Sequence, residues 1–170
     1  MNNTLARAVS VAALTLGLVA VPATSYAGPG SVVTAAGSLT VYPDPYGDGS
    51  PNSTEGGQAA VLAVTTGGKT LVTVRVRGLA PNREYGAHAH VLGCTDSQGG
   101  GHYQNVPGIA SPTNEIWLDF TTNSVGSASS LTVVDWVIRP DGANAVVIHD
   151  HETDPAGTAG PKLACLDVNF

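Results

Sequence analysis

The chain has 170 residues with 13 acidic and 7 basic side chains, which gives a formal net charge of −6 at pH 7. Hydrophobic residues make up 42% of the sequence and charged residues 12%, and glycine occurs 21 times. This composition excludes a coiled coil, and it excludes a disordered acidic chain because enough apolar side chains are present to form a core. The length fits one domain. Nucleic acid is not expected as a partner, since phosphate binding requires a basic surface.

The first 27 residues have the features of a secretory signal peptide. Arg7 precedes an apolar run over residues 9–21, and Ser25 and Ala27 place small residues at the two positions that a signal peptidase reads. The run is too short to cross a bilayer, which takes about 20 residues. We therefore expect cleavage near Ala27, secretion of a protein without a membrane segment, and one mature domain over residues 28–170. An uncleaved N-terminal anchor helix is the alternative.

Cys94 and Cys165 are the two cysteines of the chain. In an oxidising compartment such a pair most simply forms one disulfide, and two buried free thiols are the alternative. A bond between them would close a loop of about 70 residues and stabilise the fold by about 4 kcal/mol in the loop-entropy model.

The mature chain is predicted to be all-β. Alternation of period two is clearest over residues 69–77, where Val72, Val74 and Val76 share one face, and Gly67 and Gly68 before it indicate a hairpin. Eight short strands are predicted in total, at residues 31–41, 58–65, 69–77, 83–92, 115–121, 128–138, 143–149 and 162–168. Such a series, interrupted by Gly, Pro, Asn and Asp, predicts an antiparallel sandwich or flattened barrel with no helix of normal length. Long ordered loops commonly carry function, and three are expected here, at residues 43–57, 95–114 and 150–161.

The five histidines all lie in the second half of the chain, in three clusters. His88 and His90 are two residues apart on a predicted strand, so both rings face the same side of the sheet. His149 ends another predicted strand, and His102 follows three consecutive glycines that allow it to approach the pair. Four neutral imidazoles suit Cu(II), with zinc as the second choice. Unrelated surface or core histidines are the alternative to a metal site.

Several segments resemble the sequence signatures of the copper-zinc superoxide dismutase family. Residues 86–90, Cys94 and residues 101–103 are similar to the first part of that signature. Residues 146–150 resemble the family's later copper-ligand strand, and residues 157–165 resemble its closing motif, which ends in the second cysteine. The resemblance follows the family's order over most of the mature chain. It implies a Greek-key β-barrel or sandwich of about eight antiparallel strands with long metal-site loops.

The resemblance also implies roles for individual residues. The copper ligands are His88, His90, His102 and His149. His102 takes the place of the bridging imidazole, which would detach and carry a proton in each cycle, and Lys162 takes the place of the arginine that orients the anion beside copper. Cys94 and Cys165 take the place of the family disulfide.

The function implied is an exported enzyme that uses copper to convert superoxide to oxygen and hydrogen peroxide. A non-catalytic secreted copper-binding or scavenging protein on the same fold is the first alternative, and an adhesion-type sandwich without metal is the second. The sequence does not indicate an oligomeric state.

The chain departs from the family pattern around the zinc site. Residues 103–114 contain no His, Asp, Glu or Cys, so a zinc site of the usual composition is not expected, and the chain resembles a copper-only branch. Glu115 is the first acidic residue after this segment, and we expect it to hydrogen-bond the outer nitrogen of His102, with an exposed carboxylate as the alternative. At position 162, lysine in place of arginine keeps the charge but loses the bidentate fork.

Two loops carry further candidate residues. His151 and Asp150 are candidates to hydrogen-bond a ligand histidine, and His151 is also a candidate alternative ligand, although a solvated ring is the simpler interpretation. Glu152 and Asp154 are more simply solvated loop charges. Residues 44–55 match a calcium-binding loop in part, but Tyr46 occupies a ligand position, and a solvated loop between strands is the preferred interpretation.

Overall fold

The computed structural model describes residues 30–170, so the predicted signal peptide lies outside the described residues. The predicted all-β class is confirmed in this range, where one short 3₁₀ helix (Ser97–Gly99) accompanies the strands. No helix among residues 30–170 combines the length and apolar character needed to cross a membrane. The strands are β1 (Val32–Ser38), β2 (Thr40–Val41), β3 (Gln58–Thr66), β4 (Lys69–Arg77), β5 (Glu84–Tyr85), β6 (Ala87–His90), β7 (Phe120–Thr121), β8 (Ala128–Val134), β9 (Ala145–His149) and β10 (Lys162–Asp167).

The strands form two four-stranded antiparallel sheets and one short two-stranded pair. The first sheet has the order β1-β3-β4-β8, the second has the order β2-β10-β9-β6, and β5 pairs with β7. Strands that are distant in the sequence are neighbours in both sheets, because β8 lies beside β4 and β9 lies beside β6. Long connections of this kind are typical of Greek-key sandwiches.

Several predicted strands are shorter or divided in the structure. Those predicted at 128–138 and 143–149 are reduced to β8 and β9. The predicted strand at 31–41 splits at Leu39, whose amide bonds to the Gly57 carbonyl before β2 joins the second sheet. The predicted strand at 83–92 splits at Gly86, where a Cβ would lie 2.5 Å from the His151 carbonyl oxygen. The predicted strand at 115–121 is reduced to β7, because its first residues make only isolated bridges to the metal-site segments.

The main core lies between the two large sheets. Val72, Val74 and Val76 alternate along β4 and are buried, as the period-two pattern predicted. They pack in one apolar cluster with the inward residues of the second sheet, of which Val146 and Ile148 on β9 are nearly inaccessible. Burial of an aliphatic side chain of this size contributes about 1.5–3 kcal/mol, so this layer supplies the rigid base of the fold.

The outer face of the second sheet is also buried, and it carries the histidines. His88 pairs with Val147, and Ala89 pairs with Val146, so His88 and His90 point away from the main core. The segment after β6 folds back over this face. At Gly99, with φ of +85°, a Cβ would lie 2.7 Å from Val147 Cγ2, so only glycine allows this close approach.

Cys94 and Cys165 form a disulfide, as predicted. The two sulfurs lie in a second buried cluster with Tyr42, Ala145 and Val147, on the same outer face of the sheet. The bond ties the loop that follows β6 to the centre of β10 across 71 residues of sequence. It therefore fixes the segment that carries His102 against the strands that carry the other histidines.

We predict that the double substitution Cys94→Ser/Cys165→Ser lowers the free energy of unfolding by about 4 kcal/mol, because the unfolded chain regains the freedom of a long loop. Denaturant titration of the oxidised protein and of the variant measures the difference. Treating the original protein with a reductant should give the same loss, and equal stability of variant and oxidised protein would contradict the prediction.

Candidate metal centre

The structure brings His88, His90, His102 and His149 together. One ring nitrogen from each residue lies within 4.8 Å of those of the other three. His88 and His90 stand on β6 and are inaccessible to solvent, and His149 ends β9 with its side chain buried. His102 follows the glycine run and is held beside β6 by an isolated bridge to His90.

Each of the four rings has its outer nitrogen held by an oxygen atom. His90 Nδ1 donates to the Gly100 carbonyl at 3.1 Å, and His149 Nδ1 donates to the Gly160 carbonyl at 3.2 Å. His102 Nδ1 lies 2.8 Å from Glu115 Oε2. Because a carbonyl or carboxylate oxygen only accepts, the proton of each of these rings is on Nδ1 and the Nε2 lone pair is free.

His88 is turned the opposite way. Its Nε2 lies 2.6 Å from the Thr153 hydroxyl, and its Nδ1 is buried without a hydrogen-bond partner among the described residues. A buried polar atom without a partner is unfavourable in a folded protein and requires an explanation. The arrangement leaves Nδ1 of His88 and Nε2 of the other three rings free to coordinate one shared ion.

The contact between His90 and His149 is the most informative distance in the cluster. Their Nε2 atoms are 3.2 Å apart. Since both rings carry their proton on Nδ1, two lone pairs face each other at this distance and form no hydrogen bond. A cation bound between the nitrogens would convert this repulsion into attraction, so the donor set fits a metal ion.

Burial keeps three of the imidazoles neutral. Desolvation lowers the pKa of His88 far below its usual value of 6.5, with further lowering from His102, His149 and His90. The same cause lowers the pKa of His90 to about 2 and that of His149 to about 4. Neutral rings keep their lone pairs at physiological pH, and imidazole nitrogens of this kind suit copper or zinc.

Glu115 lies where the sequence predicted an acceptor for His102. It is almost completely buried, and Oε2 accepts from His102 Nδ1 and from Trp117 Nε1 at 2.7 Å. The other oxygen, Oε1, accepts from Gln104 Nε2 at 2.7 Å. Three donors therefore fix the carboxylate, and the carboxylate fixes the orientation of the His102 ring.

Lys162 lies at the edge of the cluster and is partly buried. Its Nζ donates to the Gly100 carbonyl at 2.5 Å, and this is the same oxygen that accepts from His90 Nδ1. Burial lowers the pKa of the ammonium group. Lys162 thus places a positive charge beside the histidines, and it also contacts the Gly100 carbonyl, which orients the His90 ring.

Asp150 and His151 follow His149 in the chain but do not belong to the group of four histidines. Asp150 accepts a hydrogen bond from the Tyr46 hydroxyl at 2.6 Å and pairs with Arg83. His151 Nε2 lies 3.2 Å from Asp150 Oδ2, its side chain is 67% exposed, and its ring lies against Gly160. The strand ends at His149, so the two residues that follow belong to the loop and not to the face of the sheet that holds the cluster.

The acidic side chains of two other loops accept hydrogen bonds from backbone amides of the same loop. Asp44 accepts from the Gly49 amide, and Asp48 accepts from the Ser50 amide, which closes turns within the loop considered for calcium. Asp154 accepts from the Thr158 amide and hydroxyl in the same way. The structure therefore explains these acids as turn-forming residues.

Two residues of the site were missed by the sequence analysis. Thr153 bonds to His88, and Asp119 accepts from both the hydroxyl and the amide of Thr153. Neither residue belongs to a metal-ligand spacing pattern, and they approach His88 across 65 and about 30 residues of chain. No local signal in the sequence identifies such contacts.

No protein-family model matches the chain. A curated relative, superoxide dismutase [Cu-Zn] 2 of Aquifex aeolicus (strain VF5), is 30% identical over 146 residues, which cover 66% of this chain and 80% of that protein. The chain belongs to the copper-zinc superoxide dismutase family. Membership supports a superoxide dismutase-like function, and it agrees with the all-β fold, the disulfide and the histidine cluster.

One other group of potential ligands occurs in the described part of this superoxide dismutase family member. It consists of Cys94, Cys165 and Asp167. The two sulfurs are joined in the disulfide, and Asp167 Oδ1 accepts from the Cys94 amide at 2.7 Å. These atoms are already engaged, so the four histidines are the stronger candidate metal centre among residues 30–170.

We predict that the metal-free protein loses stability as the pH falls from about 6.5 towards 4. Below pH 6.5 the unfolded chain binds protons on its histidines, whereas His149 and His90 stay neutral in the folded protein because their pKa values are about 4 and about 2. The unfolded state therefore binds more protons, and each buried ring lowers the free energy of unfolding by about 1.4 kcal/mol per pH unit.

Denaturant titrations of the metal-free protein at several pH values between 7 and 4 test this expectation. His149→Gln should reduce the slope with pH, whereas His151→Asn, which alters an exposed ring, should leave it unchanged. A stability that does not vary over this pH interval would contradict the prediction.

Proposed function

We propose that this protein binds one copper ion through His88, His90, His102 and His149 and dismutates superoxide to oxygen and hydrogen peroxide. The observation that carries the proposal is the convergence of four imidazoles, three of them buried, with one nitrogen of each turned to the same point. There His88 Nδ1 has no hydrogen-bond partner among the described residues, and the lone pairs of His90 and His149 face each other. Bound copper would supply one-electron chemistry, taking an electron from one superoxide and returning it to a second. The named superoxide dismutase relative supports superoxide as the substrate.

The proposed site is a copper-only site in which Glu115 takes over part of zinc's role. Glu115 holds the proton of His102 on Nδ1, which leaves Nε2 directed to the cluster. Within residues 30–170, no second group of three or more His, Cys, Asp or Glu ligands includes His102. His102 is also the most accessible of the four rings, with 16% of its side chain exposed. We propose that its Nε2, when it does not hold the ion, takes up a proton from solvent and passes it to the departing product.

Lys162 is the proposed guide for the anionic substrate. The protein is net acidic, so superoxide must approach against a generally unfavourable field. Of the other cations near this side of the molecule, Arg83 pairs with Asp150, and Arg139 donates to the carbonyls of Asn105 and Gln104. The Lys162 ammonium is held against the Gly100 carbonyl beside the cluster, where it can raise the local concentration of an anion.

Export is part of the same proposal. Residues 1–27 have the sequence of a signal peptide, and the Cys94–Cys165 disulfide is the kind of bond that persists in an oxidising compartment. We therefore propose that the enzyme acts outside the cytoplasm, on superoxide formed or delivered there.

We predict that the purified metal-free protein binds one Cu(II) per chain and that the loaded protein removes superoxide catalytically. Metal analysis gives the stoichiometry, and the decay of pulsed superoxide gives the rate. His90→Ala and His149→Ala should reduce copper binding, and His151→Ala, which alters an exposed ring beside the site, should not. Copper bound at one per chain without turnover would reject the enzymatic function and favour a copper-binding protein.

We predict that Lys162→Ala lowers kcat/KM for superoxide by about tenfold at low ionic strength, because a local cation is lost from the approach path. The difference should shrink as salt is added, since screening weakens long-range attraction. Lys69→Ala removes an exposed cation on the other sheet and should have no effect. If Lys162→Ala lowers kcat/KM by the same factor at all salt concentrations, the loss would come from a displaced His90 ring and not from weaker attraction of superoxide.

A further inference from the structure

The hydrogen bond to His88 differs in kind from those to the other three histidines. The outer nitrogens of His90, His102 and His149 each meet a carbonyl or carboxylate oxygen, which can only accept. The outer nitrogen of His88 meets the Thr153 hydroxyl at 2.6 Å, and a hydroxyl can either donate or accept. Thr153 alone therefore does not determine which nitrogen of His88 carries the proton.

Asp119 removes this ambiguity. Its Oδ1 lies 2.8 Å from Thr153 Oγ1, and its Oδ2 accepts from the Thr153 amide at 2.8 Å. Oδ1 also accepts from the Ala87 amide at 2.9 Å, next to His88 in the chain. Since an ionised carboxylate accepts only, the Thr153 hydroxyl proton must point to Asp119, and the hydroxyl is left to accept from His88 Nε2.

The Asp119 carboxylate does not hydrogen-bond the His88 ring directly. Asp119 Oδ1 lies 3.7 Å from His88 Nε2, which is beyond hydrogen-bond distance. The Thr153 hydroxyl occupies the position between them and bonds to both. Because His88 is fully buried, its ring has no solvent to supply a different partner for Nε2.

We infer that Thr153 and Asp119 act as a positioning relay that holds the proton of His88 on Nε2 and so presents Nδ1 to the metal. Thr153 comes from the loop that follows β9, and Asp119 comes from the segment just before β7. The relay therefore makes the orientation of the His88 ring depend on the position of the loop over residues 150–161. The inference deepens the proposed copper site and depends on it only for its metal-binding consequence.

The test compares Thr153→Val, which removes the hydroxyl and keeps the shape, with Thr153→Ser, which keeps the hydroxyl. Nitrogen-15 NMR of the metal-free proteins reports which nitrogen of His88 is protonated. We expect Nε2–H in the original protein and in Thr153→Ser. In Thr153→Val we expect a mixture of tautomers. Copper affinity, measured by competition with a chelator, should fall about 10- to 100-fold in Thr153→Val, with an altered Cu(II) EPR spectrum, and recover in Thr153→Ser.

A matched control is available in the same loop. Thr158 donates its hydroxyl to Asp154 at 2.5 Å, so Thr158→Val removes a comparable threonine–aspartate bond that touches no histidine. It should leave the tautomer of His88, the copper affinity and the EPR spectrum unchanged. Asp119→Ala gives a second variant, which removes the acceptor of the Thr153 hydroxyl proton and should give a mixture of His88 tautomers.

The outcomes separate the relay from the proposed function. An unchanged His88 tautomer in Thr153→Val and Asp119→Ala, with both proteins folded by circular dichroism, would overturn the relay even if copper is bound. Failure of the original protein to bind copper or to remove superoxide would reject the proposed function, while the NMR measurement on the metal-free protein would still decide the relay. A loss of copper affinity that is equal in Thr153→Val and Thr153→Ser would also overturn it.

Discussion

The candidate metal centre depends on which nitrogen of each of the four imidazoles carries the proton. Three rings donate Nδ1–H to fixed oxygen atoms, and the fourth is turned so that Nδ1 remains without a partner in the described residues. Burial prevents the rings from relieving the repulsion between lone pairs by protonation. The folded protein therefore maintains an electron-rich group of nitrogen atoms that a bound cation would stabilise, which is why the donor set fits a metal ion.

The second sheet, with the order β2-β10-β9-β6, supplies this arrangement because it is buried on both faces. Val146 and Ile148 of β9 pack into the sandwich, while Val147 and His149 face the opposite side beneath the loops. The loop after β6 can cover that side only through glycine at position 99, and the disulfide to β10 holds it there. The stability of the core and the geometry of the site are thus properties of the same strands.

The parts of the site that follow local rules could be predicted from the sequence, and the rest could not. His88 and His90 were expected to share a face because side chains on a strand alternate, and the fold class followed from the same periodicity. The strand predicted at 115–121 was mostly wrong, because alternation in that segment reflects bridges to the site and not a ladder. Thr153 escaped notice because only tertiary contacts bring its hydroxyl to His88.

The Gly100 carbonyl links the two functions that the site requires. One oxygen accepts from His90 Nδ1, which sets the ligand lone pair, and from Lys162 Nζ, which supplies the positive charge for an anion. Gly100 has φ of +68°, a conformation that L side chains rarely adopt, so the direction of this carbonyl depends on a glycine. In the proposed function, binding of the metal and attraction of the substrate are therefore coupled through one peptide unit, and a change at position 162 is expected to act on both.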